Sequence, residues 1–302
     1  MSTRAVGPRP AEGVSKTTIH TLRDKRRRGE AISMVTAYDF PTARAAQEAG
    51  VDAILVGDSL AMVVLGHPNT LTVTMDEMLH HARAVARGAQ RPLLVGDMPF
   101  LSYQADAAEA VRNAGHFLQA GMDAIKLEGG REYAATAAAI VRAGIPVQGH
   151  IGLTPQSVNA LGGYKVQGKT AESARELLDD ALALEEAGCS SIVLESLPDR
   201  LAAYITDRLT IPTIGIGAGP GTSGQVLVAH DLLGMFDRFT PRFVKRYAEL
   251  GTAMKEAFTA YRQDVEAHAF PGPEHSYTMT DEEWKAFQAA AMKRPHLRAA
   301  RS

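Results

Sequence analysis

Six side chains able to do chemistry stand at the ends of short apolar runs. They are Asp58 in Val56-Gly57-Asp58-Ser59, Asp97 in Val95-Gly96-Asp97, Lys126 and Glu128 in Ile125-Lys126-Leu127-Glu128, His150 in Gln148-Gly149-His150, and Glu195 in Val193-Leu194-Glu195. Carboxylates in such surroundings are costly unless paired, protonated or bound to a cation. Taken singly, each has a plain structural role. Asp58, Asp97 and Glu195 can cap helices, and His150 can be a hydrogen-bonded core histidine. Lys126 can pair with Glu128, which shares its strand face at i, i+2 spacing. Taken together they form a site. Asp58, Asp97 and Glu128 make an oxygen-rich donor set suited to a hard divalent cation, and Mg²⁺ keeps positions open for water or substrate. Glu195, on a more distant strand, is placed to remove a proton α to a polarised carbonyl. Lys126 supplies a point charge for a substrate carboxylate. The chemistry expected is enolate formation from an α-keto acid.

The elements that must position these residues repeat along the chain. Helical stretches close with Ala-Gly and run directly into an apolar segment at Ala49-Gly50, Ala120-Gly121, Ala143-Gly144 and Ala187-Gly188. Glycine just past a helix tolerates the left-handed cap, and the β-branched run after it reads as a buried parallel strand. Eight strands are expected: Ile32–Tyr38, Ala53–Gly57, Pro92–Gly96, Ala124–Glu128, Pro146–His150, Ser191–Glu195, Pro212–Gly217 and Val226–Ala229. Thr74 with Glu77 forms a capping box, and Pro41 suits a helix first turn. The alternation predicts an α/β fold, a single (β/α)8 TIM barrel, whose active site lies at the C-terminal ends of its strands. A doubly wound open sheet is the alternative. The connection Ala218–Gln225 is too short for a full helix.

The barrel is expected over residues 17–265, after a disordered arm at 1–16 and before a C-terminal helical extension at 266–302. A first helix carries the basic run Arg23–Arg28, read as a solvated face rather than a nucleic-acid patch because no aromatic residues interleave with it. A helix over Phe243–Ala260, an extended stretch from Phe270 to His275, and a short helix around the sole Trp284 are expected to serve packing or subunit contact.

The chain has 302 residues, 45% of them hydrophobic and 22% charged, with a formal net charge of -2. That near-neutral balance gives no support to a nucleic-acid or anionic-membrane surface. No apolar run approaches the ~20 residues of a transmembrane helix, and no signal-peptide pattern opens the chain. Cys189 is the sole cysteine, so a disulfide within the chain and a thiolate metal cage are both excluded, and a reducing, cytoplasmic setting is expected.

Longer motifs carry a family resemblance. Thr36-Ala37-Tyr38-Asp39, Val56-Gly57-Asp58-Ser59-Leu60 and Gly149-His150-Ile151-Gly152-Leu153-Thr154-Pro155-Gln156-Ser157 resemble the ketopantoate hydroxymethyltransferase family. So do Gly162-Gly163-Tyr164-Lys165-Val166-Gln167-Gly168, Gly215-Ile216-Gly217-Ala218-Gly219 and Pro271-Gly272-Pro273-Glu274-His275. The resemblance spans roughly Thr18 to His275 and leaves the two ends outside the usual pattern. It implies transfer of a hydroxymethyl group from 5,10-methylenetetrahydrofolate to α-ketoisovalerate, giving ketopantoate on the route to pantothenate and coenzyme A. It further implies Mg²⁺ held by Asp58, Asp97 and Glu128, and keto-acid contacts from Asp58, Ser59, Asp97 and Lys126. Glu195 is implied as the proton acceptor, His150 as a pocket residue, and the assembly as a cytoplasmic homodecamer. The glycine-rich segment Leu161–Thr170 reads as a mobile lid or a plain surface loop.

Two rivals remain at this level. One is an isocitrate lyase-like or phosphoenolpyruvate mutase-like lyase using the same Mg²⁺-assisted enolate chemistry. The long match beginning at Gly149 favours the transferase, and Cys189, expected on the N-terminal side of its strand, is remote from the rim. The other rival is a phosphate-binding barrel without catalysis, built on Gly215–Gly221. As a dinucleotide signal that stretch is weak, and it reads also as a tight turn or a wall of the folate pocket.

Overall fold

The computed structural model describes residues 15–292. Most of the arm expected at 1–16, and the basic end past residue 292, lie outside the described residues. Eight parallel strands close on themselves in sequence order: β1 (Ile32–Thr36), β2 (Ala53–Val56), β3 (Leu93–Asp97), β4 (Ala124–Lys126), β5 (Val147–Gly152), β6 (Ser191–Glu195), β7 (Thr213–Ile216) and β8 (Gly224–Leu227). Every expected strand is present, and the open-sheet alternative falls because β8 pairs with β1 from Ile32↔Gly224 to Val35↔Leu227.

The helices, in chain order, are α1 (Ile19–Arg27), α2 (Phe40–Glu48), α3 (Leu60–Val63), α4 (Met75–Gly88), α5 (Ala107–Gln119), α6 (Arg131–Arg142), α7 (Val158–Leu161), α8 (Ala171–Glu186), α9 (Asp199–Arg208), α10 (Ala229–Leu232), α11 (Leu250–Glu266) and α12 (Asp281–Ala291). Their starts follow from sequence. Thr74 and Glu77 form the expected capping box on α4, Asp39 caps α2 ahead of Pro41, and Asp106 caps α5. No helix joins β7 to β8, as the short connection requires. None of the described helices is long and apolar enough to cross a membrane.

The strands obey a two-residue period. Ala53, Leu55, Leu93, Val95, Ala124, Val193, Ile214 and Val226 fill the barrel interior together with Leu22 of α1. Their neighbours Ile54, Val56, Leu94, Ile125, Ile192 and Leu194 pack outward against the helix layer, which contributes Phe117, Ile140, Leu184 and Ile205. Full burial of side chains of this size contributes about 1.5–3 kcal/mol each.

α1 stops the N-terminal end of the barrel, and two residues of the basic run, Lys25 and Arg26, are spent there, whereas Arg27 and Arg28 keep the solvated face expected of it. Lys25 Nζ is 2.7 Å from both Asp52 carboxylate oxygens. The Arg26 guanidinium donates to the carbonyls of Thr206, Leu209 and Ile211.

The chain divides between Glu249 and Leu250 into two compact units. α11 therefore groups with the C-terminal segment and not with the barrel, which the expected bounds 17–265 extend across it. The helix expected over Phe243–Ala260 begins instead at Leu250. Before it the chain is irregular because the Tyr247 N–H donates to the Leu232 carbonyl, 2.8 Å away, an interaction no local propensity encodes. Within the C-terminal unit Phe270 lies edge-on to Tyr261 with ring centres 5.7 Å apart, a 3-10 turn spans Pro273–His275, and Trp284 stacks on Phe287.

Candidate active site

The period that fills the barrel interior also delivers the site. Val95 points inward, so Asp97 does; Ala124 points inward, so Lys126 and Glu128 do; Val193 points inward, so Glu195 does. His150 reaches the same rim from β5 through a backbone bond, in which the Gly129 N–H donates to the His150 carbonyl at 2.9 Å. Asp58 lies past the end of β2, and its own N–H donates to Asp97 Oδ2 at 3.0 Å. Asp58, Asp97, Lys126, Glu128 and His150 are all buried. Glu195 is more open, with 16% of its side chain exposed into the cavity.

Lys126 sits at the centre of this group. Its Nζ is 2.8 Å from Asp97 Oδ1, 3.5 Å from Glu128 Oε1 and 3.3 Å from His150 Nδ1. His150 Nδ1 is 3.3 Å from Glu128 Oε1, and His150 Nε2 is 3.2 Å from Glu195 Oε2. Asp97 Oδ1, Glu128 Oε1 and His150 Nε2 thus have opposite charges close by, yet none makes a well-directed hydrogen bond. Ser59 lines the same cavity, and its Oγ is 2.9 Å from the Tyr38 hydroxyl. The rim therefore brings together all seven residues singled out from the sequence.

Burial sets the protonation chemistry. It pushes the Asp58 carboxyl well above its usual range, and repulsion from Asp97 and Glu128 adds to the effect. Asp97 is also raised by burial, with Lys126 opposing. Burial works the same way on Glu128, but Lys126, His150 and the Gln156 N–H together hold it below its usual range. Lys126 is raised because Asp97, Glu128 and Asp58 outweigh its burial. Burial and Lys126 would lower His150, yet hydrogen bonding to Glu128 and Glu195 brings it up to about 9. At neutral pH Lys126 and His150 are thus both cations set among the carboxyl groups of Asp97, Glu128 and Glu195.

The buried acidic cluster is the observation that bears on a metal. Three carboxyl groups, those of Asp58, Asp97 and Glu128, are packed together out of water, and two of their oxygens, Asp97 Oδ1 and Glu128 Oε1, are poorly satisfied. An all-oxygen donor set of this kind fits a divalent cation. Among the described residues no group of three or more His, Cys, Asp or Glu side chains is already arranged around a metal position. Mg²⁺ does not require one, since it takes one or two carboxylates and fills its remaining positions with water and substrate oxygens.

Sequence reasoning missed two residues that brace the site. Gln156 Nε2 donates to Asp58 Oδ2 at 3.0 Å and to the Met98 carbonyl at 2.9 Å, and the Gln156 N–H donates to Glu128 Oε2 at 3.0 Å. The Tyr103 hydroxyl accepts from the Glu128 N–H at 3.0 Å and lies 2.9 Å from Gln156 Oε1. Gln156 lies within the motif from Gly149 to Ser157, a usable sequence signal. Tyr103 had none.

The glycine-rich turn after β7 serves packing. At Gly217, whose φ is +64°, a Cβ would come within 2.6 Å of the Phe243 ring, and at Gly219 within 2.5 Å of Asp199. Cys189 is buried before β6, and burial pushes its thiol up to about 12, so it is inert toward chemistry at neutral pH.

A profile of ketopantoate hydroxymethyltransferase matches residues 16–273. The chain belongs to that family. A 3-methyl-2-oxobutanoate hydroxymethyltransferase of Syntrophobacter fumaroxidans is 60% identical over 255 residues, covering 84% of this chain and 90% of the relative. One from Carboxydothermus hydrogenoformans is 56% identical over 270 residues, covering 89% and 98%. Among solved structures, phosphonopyruvate hydrolase in complex with oxalate and Mg++ aligns with a TM-score of 0.58 at 17% identity, covering 91% of this chain and 99% of that one. 2,3-Dimethylmalate lyase aligns at 0.56 with 19% identity, covering 91% and 96%. At such identities the likeness is one of fold alone. Within the ketopantoate hydroxymethyltransferase family, sequence thus separates this chain from lyases that share its barrel.

Proposed function

We propose that the chain is a 3-methyl-2-oxobutanoate hydroxymethyltransferase, joining a one-carbon unit from 5,10-methylenetetrahydrofolate to C3 of the keto acid to give ketopantoate. The observation that carries the reaction is the separation of roles at the rim. Asp58, Asp97 and Glu128 are buried and bridged by Lys126 and Gln156, whereas Glu195 opens into the cavity and is held from behind by His150 at 3.2 Å.

Asp58, Asp97 and Glu128 would hold Mg²⁺, with Gln156 and Tyr103 orienting them. When bound, the cation supplies Lewis-acid polarisation of the keto group, which makes the C3 proton more acidic. Lys126, Ser59 and His150 orient the keto acid, Lys126 through its charge and Ser59 through a hydroxyl fixed by Tyr38. Glu195 removes the C3 proton, C3 bonds to the methylene carbon of the folate as one folate C–N bond breaks, and a water molecule supplies the hydroxyl as the second C–N bond breaks and tetrahydrofolate leaves. Tyr164, Lys165 and Val166 of the segment after α7 line the cavity, and their closure would keep water from the reacting carbon. Holding two carbon centres together supplies much of the acceleration in such a bimolecular step. The homodecamer and the cytoplasmic setting belong to the same reading.

The test is C3–H exchange of α-ketoisovalerate in D₂O, followed by NMR with Mg²⁺ present. Wild type should exchange, and Glu195→Gln should lose roughly a hundredfold or more of that rate. Undiminished exchange in the variant would remove Glu195 as the base; no exchange in wild type would sink the activity itself.

A further inference from the structure

The cavity at the rim has two chemically different halves. Strands β2 to β6 contribute the carboxylates, Lys126 and His150. The other side, formed by β7, β8 and the chain after α10, presents Ile216, Val226, Phe236, Phe239 and Phe243. One carboxylate stands in that apolar half. Asp231, on α10, lines the cavity, and among the described residues its carboxylate has neither a hydrogen bond nor an ion pair. Arg246, whose charge it feels, is spent on Glu249 Oε2 at 3.2 Å and Thr240 Oγ1 at 2.8 Å. Burial raises Asp231 to about 6, which leaves it ionised at neutral pH. Neither Asp231 nor the three phenylalanines has a part in the keto-acid chemistry above. The cavity is about 370 Å³, room for a second reactant beside the keto acid.

A lone carboxylate among aromatic rings suits a flat heterocycle carrying two adjacent N–H donors. The rings stack on its faces, and the carboxylate accepts both donors side by side. An anionic phosphate meets repulsion at the same place. We infer that Asp231, with Phe236, Phe239 and Phe243, forms the subsite for the pterin ring of the folate co-substrate, Asp231 accepting from the ring N–H and the exocyclic amine of its aminopyrimidinone edge. Arg242 and Lys165, both exposed cations lining the mouth, receive the anionic glutamyl tail. The assignment rests on the transferase reading and adds the residues that select its one-carbon donor.

The experiment measures tetrahydrofolate and α-ketoisovalerate binding separately on the full chain, by titration calorimetry with Mg²⁺. Asp231→Asn should weaken tetrahydrofolate binding roughly tenfold or more, as expected on losing a charged acceptor. It should leave keto-acid binding within about twofold, since that ligand occupies the other half. Phe239→Ala guards against misfolding, because Phe239 is 68% exposed and its loss does not disturb the core. It should weaken tetrahydrofolate about five- to tenfold. Wild-type affinity for tetrahydrofolate in both variants overturns the subsite. A wild type that binds the keto acid but no tetrahydrofolate overturns the transferase reading instead.

Discussion

His150 Nε2 lies 3.2 Å from Glu195 Oε2, while the opposite ring nitrogen lies 3.3 Å from Glu128 Oε1. One imidazolium thus ties the proposed base to the proposed metal shell. Its protonation is maintained by those two carboxylates against both burial and the nearby Lys126 ammonium. The ring keeps Glu195 oriented toward the cavity and separates its charge from the buried acidic group.

His150→Gln removes that cation while keeping a polar side chain. A folded-state value of about 9 lies above the usual 6.5, so the stability His150 contributes is fully present below pH 6.5 and is lost as pH rises toward 9. In metal-free protein the variant should be less stable by about 3 kcal/mol at pH 6, with the gap closing by about pH 10. Urea unfolding across that range measures it. A gap that stays constant with pH would mean the ring is neutral in the folded protein.

Asp97→Asn bears on the buried acidic cluster. In wild type, Mg²⁺ should raise the unfolding midpoint, stabilisation growing by about 1.4 kcal/mol for each tenfold excess over the dissociation constant. The variant should stay folded but bind Mg²⁺ at least about tenfold more weakly, since a neutral amide replaces a hard anionic donor. Calorimetric titration decides the matter; an unchanged affinity takes Asp97 out of the metal shell.

Arg26→Ala addresses the basic run at the far end of the barrel. It strips the donor from three backbone carbonyls, those of Thr206, Leu209 and Ile211, and should cost about 2–4 kcal/mol of stability. C3–H exchange should persist at the wild-type rate once the protein is folded, because α1 stops the end opposite the rim. A loss below about 0.5 kcal/mol, the size of an ordinary surface substitution, would return Arg26 to the solvated face assigned from sequence.

Much of the barrel was legible because its signals are local. Ala-Gly closures, capping residues and β-branched runs act over a few residues, and they located all eight strands to within a few positions. The rim residues were legible for the same reason: a strand end and a side-chain period suffice to place Asp97, Lys126, Glu128 and Glu195. Less local features were not. The start of α11 depends on a backbone bond from Tyr247 to Leu232, and the fate of Arg26 depends on carbonyls some 180 residues away.

By itself, then, the sequence determined the alternation of strand and helix, the inward parity of the charged residues, and the absence of any thiol chemistry beyond Cys189. Those properties follow from short-range sterics and from which side chains can leave water. The tertiary structure alone decided how the charges are shared. Only closure of the barrel sets Lys126 between Asp97 and Glu128, threads His150 between two carboxylates, and brings Gln156 within 3.0 Å of Asp58. Those are interactions between groups far apart in the chain, and their strength comes from the exclusion of water that folding produces.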